Sequence, residues 1–252
     1  MTTFEDELKK LMPTVIRLCN FALLGKRIEV RGKENFVHNG PNLIVGNHIG
    51  SYKDIATLFK VVPRPIFFIA NKMIFSKEEF NFLIKKHLKR HLKEFGFLVD
   101  LALNPLKSAF INFISSNIAK VGMIPVDIYK GRRVAREKFQ DYLQKGRAII
   151  ALQGRGRVMK QDANPYVSSF KRGYSIIAYN MYKNEGISVA VTPIAFFGTH
   201  IPFMVPAKIR INVGPPMYIT DYMEGGFKET IERFRNALEA KVKSLFLELL
   251  QR

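Results

Sequence analysis

The chain has 252 residues, of which 47% are hydrophobic, so it can bury a sizeable core and fold without disulfides. Its single cysteine, Cys19, cannot form an internal disulfide, and we expect a packed thiol rather than a nucleophile. The formal net charge of +19 favours an anionic partner, for which nucleic acid and anionic lipid are the two candidates.

The first predicted element is an N-terminal amphipathic helix. Apolar side chains recur at helical spacing from Phe4 to Ala22, and Pro13 should bend or divide this helix. We interpret residues 1–31 as a membrane-contact segment, with an ordinary core helix as the alternative. Basic residues follow at the place where a phosphate layer would lie if the helix were partly immersed: Lys26, Arg27 and Arg31.

Residues 32–252 alternate short apolar runs with helical patterns. The alternation predicts an α/β domain with a mostly parallel central sheet flanked by helices, and chemistry at the strand ends. Strands are predicted near 43–46, 65–70, 123–126, 148–152, 188–195 and 209–213. Helices are predicted near 53–60, 78–95, 105–118, 132–145, 171–184 and 227–250.

A basic helical insertion is predicted at about residues 76–120. Its helix near 78–95 carries lysines and arginines around an apolar stripe, a pattern that suits the headgroup boundary of a bilayer. A surface helix packed on its own core, or a docking surface for an acidic protein, remains an alternative. The apolar stretch from Phe95 to Leu103 is a further candidate for membrane contact.

No membrane-spanning segment is expected from the sequence. The first residues are acidic where a secretory signal would be basic, and no stretch reaches the roughly 18 apolar residues of a spanning helix. Together with the charge, this predicts a peripheral or monotopic protein at the cytoplasmic face of a membrane.

The strand near 43–46 leads into His48, and Asp54 follows at the start of the next helix. An imidazole with a carboxylate close enough to fix its tautomer can take a proton from a hydroxyl. His48 is therefore the candidate general base and Asp54 its orienter, which makes an enzyme the leading hypothesis. No set of Cys and His residues supports a metal ion, and no serine lies in a nucleophile-elbow sequence.

Further segments at strand ends form an ordered series with this first one. Four blocks follow one another at Asn47–Asp54, Val121–Asp127, Ala151–Arg157 and Val191–Gly198, with Asn71–Phe75 after the first and Phe170–Gly173 after the third. In this order the blocks resemble the phospholipid/glycerol acyltransferase family, which includes the lysophosphatidic acid acyltransferases. The resemblance extends from about Gly32 to Ile219.

The resemblance implies transfer of a fatty acyl group from acyl-CoA or acyl carrier protein to a hydroxyl of a lysophospholipid such as lysophosphatidic acid. It implies no covalent enzyme intermediate and no cofactor beyond the thioester donor. The anionic membrane surface is the expected partner, and nucleic acid is disfavoured because no nucleic-acid-binding module is recognisable. It also implies a set of substrate-binding residues: Asn47, Lys72, Arg132, Gln153, Gly154, Arg155, Arg157, Lys171 and Pro193.

The chain departs from the family in the first block, where five residues instead of four separate His48 from Asp54. One extra residue in a helix turns a side chain by about 100°. We expect the loop before the helix to absorb it, with Gly50 adopting the necessary dihedral angles. In the competing interpretation the pair does not meet, and His48 acts with another orienter or not at all.

The third block also differs, since Gln153 replaces an acidic residue and Arg155 stands where a small hydroxyl residue is usual. In the second block, Ile128 occupies the place of the phosphate-binding arginine. Arg155 and Arg157 are the best phosphate ligands that remain, because guanidinium groups bind phosphate through paired hydrogen bonds. The alternatives are solvated arginines on a glycine-rich turn, a glycolipid or other lysolipid acceptor, a catalytically degenerate member, and a non-enzymatic basic membrane- or nucleic-acid-binding protein.

Overall fold

A computed structural model describes residues 4–92, 104–126 and 132–251. The chain divides into two compact units, a larger one of residues 13–66 and 139–252 and a smaller one of residues 1–12 and 67–138. This division does not coincide with the boundary between residues 31 and 32 that the sequence suggested.

The elements follow the predicted alternation of strands and helices. The strands are β1 (Lys26–Arg31), β2 (Asn42–His48), β3 (Ile66–Asn71), β4 (Met123–Val126), β5 (Ala148–Gly154), β6 (Ala190–Phe197) and β7 (Ala207–Val213). The helices are α1 (Phe4–Ala22), α2 (Tyr52–Val61), α3 (Lys77–Leu92), α4 (Asn104–Asn117), α5 (Arg132–Gln144), α6 (Gly173–Glu185) and α7 (Phe227–Leu250).

The sheet of the larger unit has the order β1-β7-β6-β2-β5. Its pairings are parallel except for the antiparallel pair of β6 and β7. Strands β2, β5 and β6 are buried nearly throughout, which explains why each appears in the sequence as a continuous apolar run rather than an alternating one. The predicted α/β fold with a mostly parallel sheet is confirmed.

Helix α7 contacts β6 and β7 through one apolar side. Phe234, Leu238, Val242, Leu245 and Leu249 form the predicted stripe at helical spacing, and all five are buried. The amide of Asn212 on β7 donates to the carbonyl of Leu245 at 3.2 Å, so one polar bond joins the strand to the helix.

The smaller unit contains the parallel pair of β3 and β4, with Phe68 opposite Met123. Helices α3 and α4 lie within the range of the predicted insertion, residues 76–120. The Ser115 hydroxyl on α4 donates to the Ile74 carbonyl at 3.2 Å. The predicted helix near 78–95 is confirmed as far as Leu92. The rest of this predicted helix, residues 93–95, and the stretch from Phe95 to Leu103 lie outside the described residues.

Strand β1 corrects the interpretation of residues 26–31 as part of a helical membrane segment. These residues pair in parallel with β7, with Lys26 opposite Ala207 and Arg31 opposite Asn212. Helix α1 continues through Pro13 instead of being divided there. Within the described ranges, none of the helices is both long and apolar enough to cross a bilayer.

Candidate acyltransferase site

The candidate site lies in the larger unit, at the carboxyl ends of β2 and β5. These strands run parallel and in register, so that His48 on β2 stands opposite Gly154 on β5. Helix α2 begins four residues after His48 and carries Asp54 in its first turn. Because parallel strands bring their carboxyl ends to one edge, the first and third sequence blocks meet here, as the sequence predicted.

His48 and Asp54 are in direct contact, which confirms the expected meeting of the two side chains. His48 Nδ1 lies 2.8 Å from Asp54 Oδ2. The same carboxylate oxygen accepts the backbone N–H groups of Ile49 at 3.0 Å and Gly50 at 2.8 Å. The Asp54 side chain is 0% exposed and that of His48 is 25% exposed. The carboxylate is thus fixed inside the protein while the imidazole reaches the surface.

The extra residue between His48 and Asp54 is absorbed before α2, but not through the dihedral angles of Gly50. Ser51 has a positive φ of 55° with ψ −123°, which is uncommon for a residue with a side chain. Gly50 is required for a different reason, since a Cβ at this position would lie 2.3 Å from the Cβ of Thr199. The turn therefore needs both a strained Ser51 and a glycine beside Thr199.

Two glycines of the third block shape the surroundings of His48. Gly154 has φ 131°, and a Cβ there would lie 2.8 Å from the His48 carbonyl oxygen. At Gly156, a Cβ would lie 3.2 Å from His48 Nε2, so the absence of a side chain leaves room beside this ring nitrogen. The Gly156 N–H donates to the His48 carbonyl at 3.1 Å and is therefore not free to bind an oxyanion.

Thr199 and His200 lie behind the pair, and sequence reasoning did not assign them to the site. The His200 ring packs on Tyr166 and Phe197, each with a centroid distance of 5.4 Å. Buried atoms of Asp54 (Oδ1), Thr199 (Oγ1) and His200 (Nδ1) have no hydrogen-bond partner among the described residues. The one sequence signal that could have assigned these two residues to the site is their position directly after the fourth block.

The surroundings of His200 lower its pKa and so favour its neutral form. Burial lowers its pKa, the positive charge of Lys53 lowers it further, and the carboxylate of Asp54 acts in the opposite direction. Lys53 is itself buried and donates to the Ile201 carbonyl. Burial and the charge of Lys26 lower the pKa of Lys53, while Asp54 raises it. Lys53 on α2 and His200 on the loop after β6 thus both interact electrostatically with Asp54.

Asn47 and Pro193, both predicted to bind substrate, are used in the structure for packing. The fully buried Asn47 amide donates to the carbonyls of Tyr166 and Phe196, each at 3.0 Å, and accepts the Phe196 N–H at 2.8 Å. It therefore connects the end of β2 to β6. Pro193 lies within β6 opposite Val45, three residues before the level of His48. Both residues are buried, and substrate binding by either stays a prediction.

Gln153 likewise makes internal hydrogen bonds at the end of β5. Its Nε2 donates to the Ala151 carbonyl at 3.3 Å, and its Oε1 accepts the Lys171 N–H at 3.1 Å. Burial raises the pKa of the Tyr174 hydroxyl to about 12, with a hydrogen bond to Gln153 acting in the opposite direction. The amide that replaces the acidic residue of the family thus joins the loop at Lys171 to the strand.

A cavity of about 480 Å³ opens beside this strand end. The predicted residues Gln153, Gly154, Arg155 and Lys171 line it together with hydroxyl groups of the loop and one lysine of α7. Arg155 and Lys171 are exposed, and so is Arg157, which does not line the cavity. Lys243 is held by Glu239, with Nζ 2.6 Å from Oε1. The lining also includes the acidic Asp162, so the structure gathers most of the predicted third-block residues around a cavity of mixed charge in which basic residues predominate.

Lys72 and Arg132 belong to the smaller unit. Lys72 is exposed in the short 3-10 helix that follows β3, and Arg132 is the first residue of α5. The side chain of Arg132 and the segment of residues 127–131, with Ile128, lie outside the described residues. Substrate binding by Lys72 and Arg132 stays a prediction.

Cys19 and the metal-ligating residue types offer no alternative chemistry in the part of the chain that is described. Cys19 is buried, and burial raises the pKa of its thiol to about 11 against the opposing charge of Lys60, which disfavours the nucleophilic thiolate. No cluster of His, Cys, Asp or Glu side chains there could hold a metal ion.

Comparison with known proteins agrees with this geometry. The Acyltransferase family model matches residues 27–92, a range that contains both His48 and Asp54. Among curated proteins, none matches the chain by sequence. The crystal structure of PlsC, the 1-acyl-sn-glycerophosphate acyltransferase of Thermotoga maritima, superposes with a TM-score of 0.60 at 20% identity, covering 100% of this chain and 85% of that one. The likeness to PlsC shows the fold, and the family match extends over residues 27–92.

Proposed function

We propose that the protein is a membrane-associated O-acyltransferase that moves a fatty acyl group from an acyl thioester to a hydroxyl of a lysophospholipid such as lysophosphatidic acid. The family match and the fold shared with PlsC support glycerolipid acyl transfer. The observation that carries the chemistry is the 2.8 Å contact between His48 Nδ1 and Asp54 Oδ2.

In the proposed reaction, His48 acts as the general base and Asp54 as its orienter. With Nδ1–H donating to Asp54, the neutral ring carries its lone pair on Nε2, the nitrogen beside Gly156. Nε2 takes the proton of the acceptor hydroxyl as its oxygen attacks the thioester carbonyl. The C–S bond then breaks, and the imidazolium returns the proton to the leaving thiolate. The buried carboxylate stabilises the positive ring between these steps.

The cavity at the end of β5 is the proposed site for the acceptor head group. Arg155 and Lys171 place positive charge on its lining, which suits a phosphate. Arg157, Lys72 and Arg132 remain proposed contacts of the same substrate. Hydroxyl groups of Ser168 and Ser169 also line the cavity, and this observation favours a glycolipid or a larger lysolipid as the second candidate acceptor.

Membrane association is proposed from the charge and from the lipid nature of the substrates. A net charge of +19 attracts the protein to an anionic surface. The basic helix α3 presents Lys85 and Lys86 to solvent, and their neutralisation should weaken binding to anionic vesicles.

Replacement of His48 by alanine tests the proposed chemistry. General-base catalysis contributes about 10²–10⁴-fold, so the rate of thiol release from acyl-CoA in the presence of lysophosphatidic acid should fall by that factor. His38→Ala, which removes an exposed histidine, is the matched control and should keep the wild-type rate.

Circular dichroism and vesicle binding would show that both variants fold. A His48→Ala rate within a few-fold of the wild type would remove His48 from the mechanism. A wild-type protein that transfers no acyl group to any lysolipid or glycolipid acceptor, from either acyl-CoA or acyl carrier protein, would instead indicate a catalytically degenerate member.

A further inference from the structure

An exposed apolar patch lies where the end of α1 meets the loop of residues 199–206. Phe21 is 64% exposed and Met204 is 59% exposed, and Leu24 and Val205 are also exposed. The rings of Phe21 and Phe203 have a centroid distance of 5.3 Å, so the helix end and the loop contact one another. We refer to Phe21, Leu24, Phe203, Met204 and Val205 as the apolar patch.

Three backbone carbonyls of this loop accept hydrogen bonds from lysine side chains. Lys26 Nζ donates to the Pro202 carbonyl at 2.8 Å and also to the Val205 carbonyl. Lys53 Nζ donates to the Ile201 carbonyl. Backbone carbonyls without a partner are costly in an apolar layer, so these lysines remove a barrier to placing the loop against hydrocarbon.

The conformation of Met204 places a large apolar side chain in solvent at a backbone cost. Its φ of 62° lies in the left-handed region, which disfavours residues with a long side chain. A Cβ at Gly25 would lie 2.9 Å from the Met204 carbonyl oxygen, so the turn fits closely against the chain after α1. Packing within the described chain does not explain why methionine stands at this tip, whereas contact with an apolar phase does.

Charged and amphipathic side chains flank the apolar patch. Arg17 is exposed and lies one helical turn before Phe21 on the same face of α1. Tyr52 is 53% exposed beside Lys53, whose Nζ lies 5.9 Å from the tyrosine ring. Tyrosine and basic residues around an apolar centre match the layered polarity of a bilayer surface. The net charge of +19 selects an anionic surface over a neutral one.

We infer that the apolar patch is the surface through which this protein inserts into the outer layer of an anionic bilayer. The inference rests on the proposed function only in that a lipid acceptor is presented by a membrane. The loop contacts the segment between His48 and Asp54, since Lys53 donates to the Ile201 carbonyl and Thr199 packs against Gly50. Insertion of the loop therefore sets the depth at which an acceptor hydroxyl meets His48.

The test compares two double variants that remove similarly exposed apolar side chains. Leu24→Gln/Met204→Asn changes the apolar patch, and asparagine tolerates the left-handed conformation at position 204. Leu247→Gln/Leu250→Gln removes side chains that are 55% and 46% exposed, against 59% and 47% in the patch. Sedimentation with vesicles of phosphatidylglycerol and phosphatidylcholine would measure binding, and thermal unfolding would show that both variants fold.

The apolar-patch variant should bind these vesicles about tenfold more weakly or worse, because the lost apolar burial exceeds the roughly 1.4 kcal/mol that one decade of affinity represents. The α7 variant should bind like the wild type. Equal weakening of both, or of neither, would overturn the inference. So would conversion of a dimer to a monomer by the patch variant in sedimentation velocity without lipid, since the patch would then bind a second copy.

Two further measurements separate this inference from the proposed function. The patch variant should keep the wild-type rate of transfer to a short-chain, water-soluble acceptor without vesicles, and His48→Ala should keep wild-type vesicle binding. Loss of transfer to the soluble acceptor in the patch variant would contradict a docking role for the patch. Weak vesicle binding by His48→Ala would contradict it as well.

Discussion

The His48–Asp54 corner and the loop that follows β5 lie at neighbouring strand ends, but they are built differently. In the corner, one oxygen of a fully buried carboxylate accepts three hydrogen bonds from groups close in the chain. In the loop, Arg155, Arg157 and Lys171 are exposed, and internal bonds are made through Gln153 instead. Under the proposed function, proton transfer would therefore depend on a fixed geometry, whereas acceptor binding would depend on side chains that solvent reaches.

Among changes in the two regions, Asp54→Asn should have the largest effect on the rate of acyl transfer. A neutral amide cannot stabilise the imidazolium and can present its own donor to His48 Nδ1, which favours the wrong tautomer. We expect kcat for acyl transfer to fall about 10²–10⁴-fold with a smaller change in KM. Thiol release from the acyl thioester would measure both constants.

Asp221→Asn provides the control, since Asp221 is exposed and its carboxylate accepts a hydrogen bond from the Thr220 hydroxyl at 3.3 Å. Its kcat should equal that of the wild type. If Asp54→Asn keeps kcat within threefold of the wild type, the contact between Asp54 and His48 does not set the rate. The proposed difference in role between this pair and the loop after β5 would then be wrong.

An intermediate effect is expected from Arg155→Ala in the loop. Arg155 lines the cavity, so its loss should raise KM for lysophosphatidic acid about tenfold while kcat changes little. Arg157 does not line the cavity, and Arg157→Ala should raise KM by a smaller factor. Steady-state kinetics with a phosphate-bearing and a neutral acceptor would separate charge recognition from other effects.

A larger rise in KM for Arg157→Ala than for Arg155→Ala would place the phosphate outside the cavity. A fall in kcat for Arg155→Ala, with KM unchanged, would move this arginine into the chemical step and weaken the distinction between the two regions.

The smallest effect concerns the pH dependence of stability and tests His200. Its pKa in the folded protein lies below the ordinary value of 6.5, because of burial and of Lys53, with Asp54 opposing. The unfolded chain therefore takes up a proton first as the pH falls, so the stability that neutral His200 contributes above pH 6.5 is lost below it. His200→Phe keeps a ring against Tyr166 and Phe197 and removes this titration.

Urea unfolding at pH 7.5 and pH 5.5 would measure the free energy of unfolding for both proteins. The wild type should lose more of it on acidification than His200→Phe, since all other titrating groups are shared. An equal loss in the two proteins would show that His200 is not held neutral behind Asp54.

The sequence predicted most of the strands because β2, β5 and β6 are buried and therefore apolar. Strand β1 was missed, since its residues alternate charge with aliphatic side chains and are mostly half-buried at the sheet edge. A strand of this kind resembles a polar connection until its partner β7 is known. Its pairing is a property of the tertiary structure, which local patterns do not encode.

At the candidate site, the sequence predicted the two side chains that meet but not the backbone that makes them meet. Ser51, rather than Gly50, has the positive φ, and Gly50 is needed where Thr199 approaches. Asn47 and Gln153 were interpreted as substrate ligands, whereas their amides satisfy buried backbone groups. Which polar group serves the substrate and which serves the fold depends on neighbours that are distant in sequence.

The position of β2 between β5 and β6 affects the local stability of the candidate site. A strand paired on both sides opens only when much of the surrounding sheet opens, so its amides exchange slowly with deuterated solvent. The proposed base, His48, thus stands at the end of a doubly paired strand, while the arginines of the neighbouring loop stand on backbone outside the sheet. Warming should therefore impair selection among acceptors before it abolishes proton abstraction.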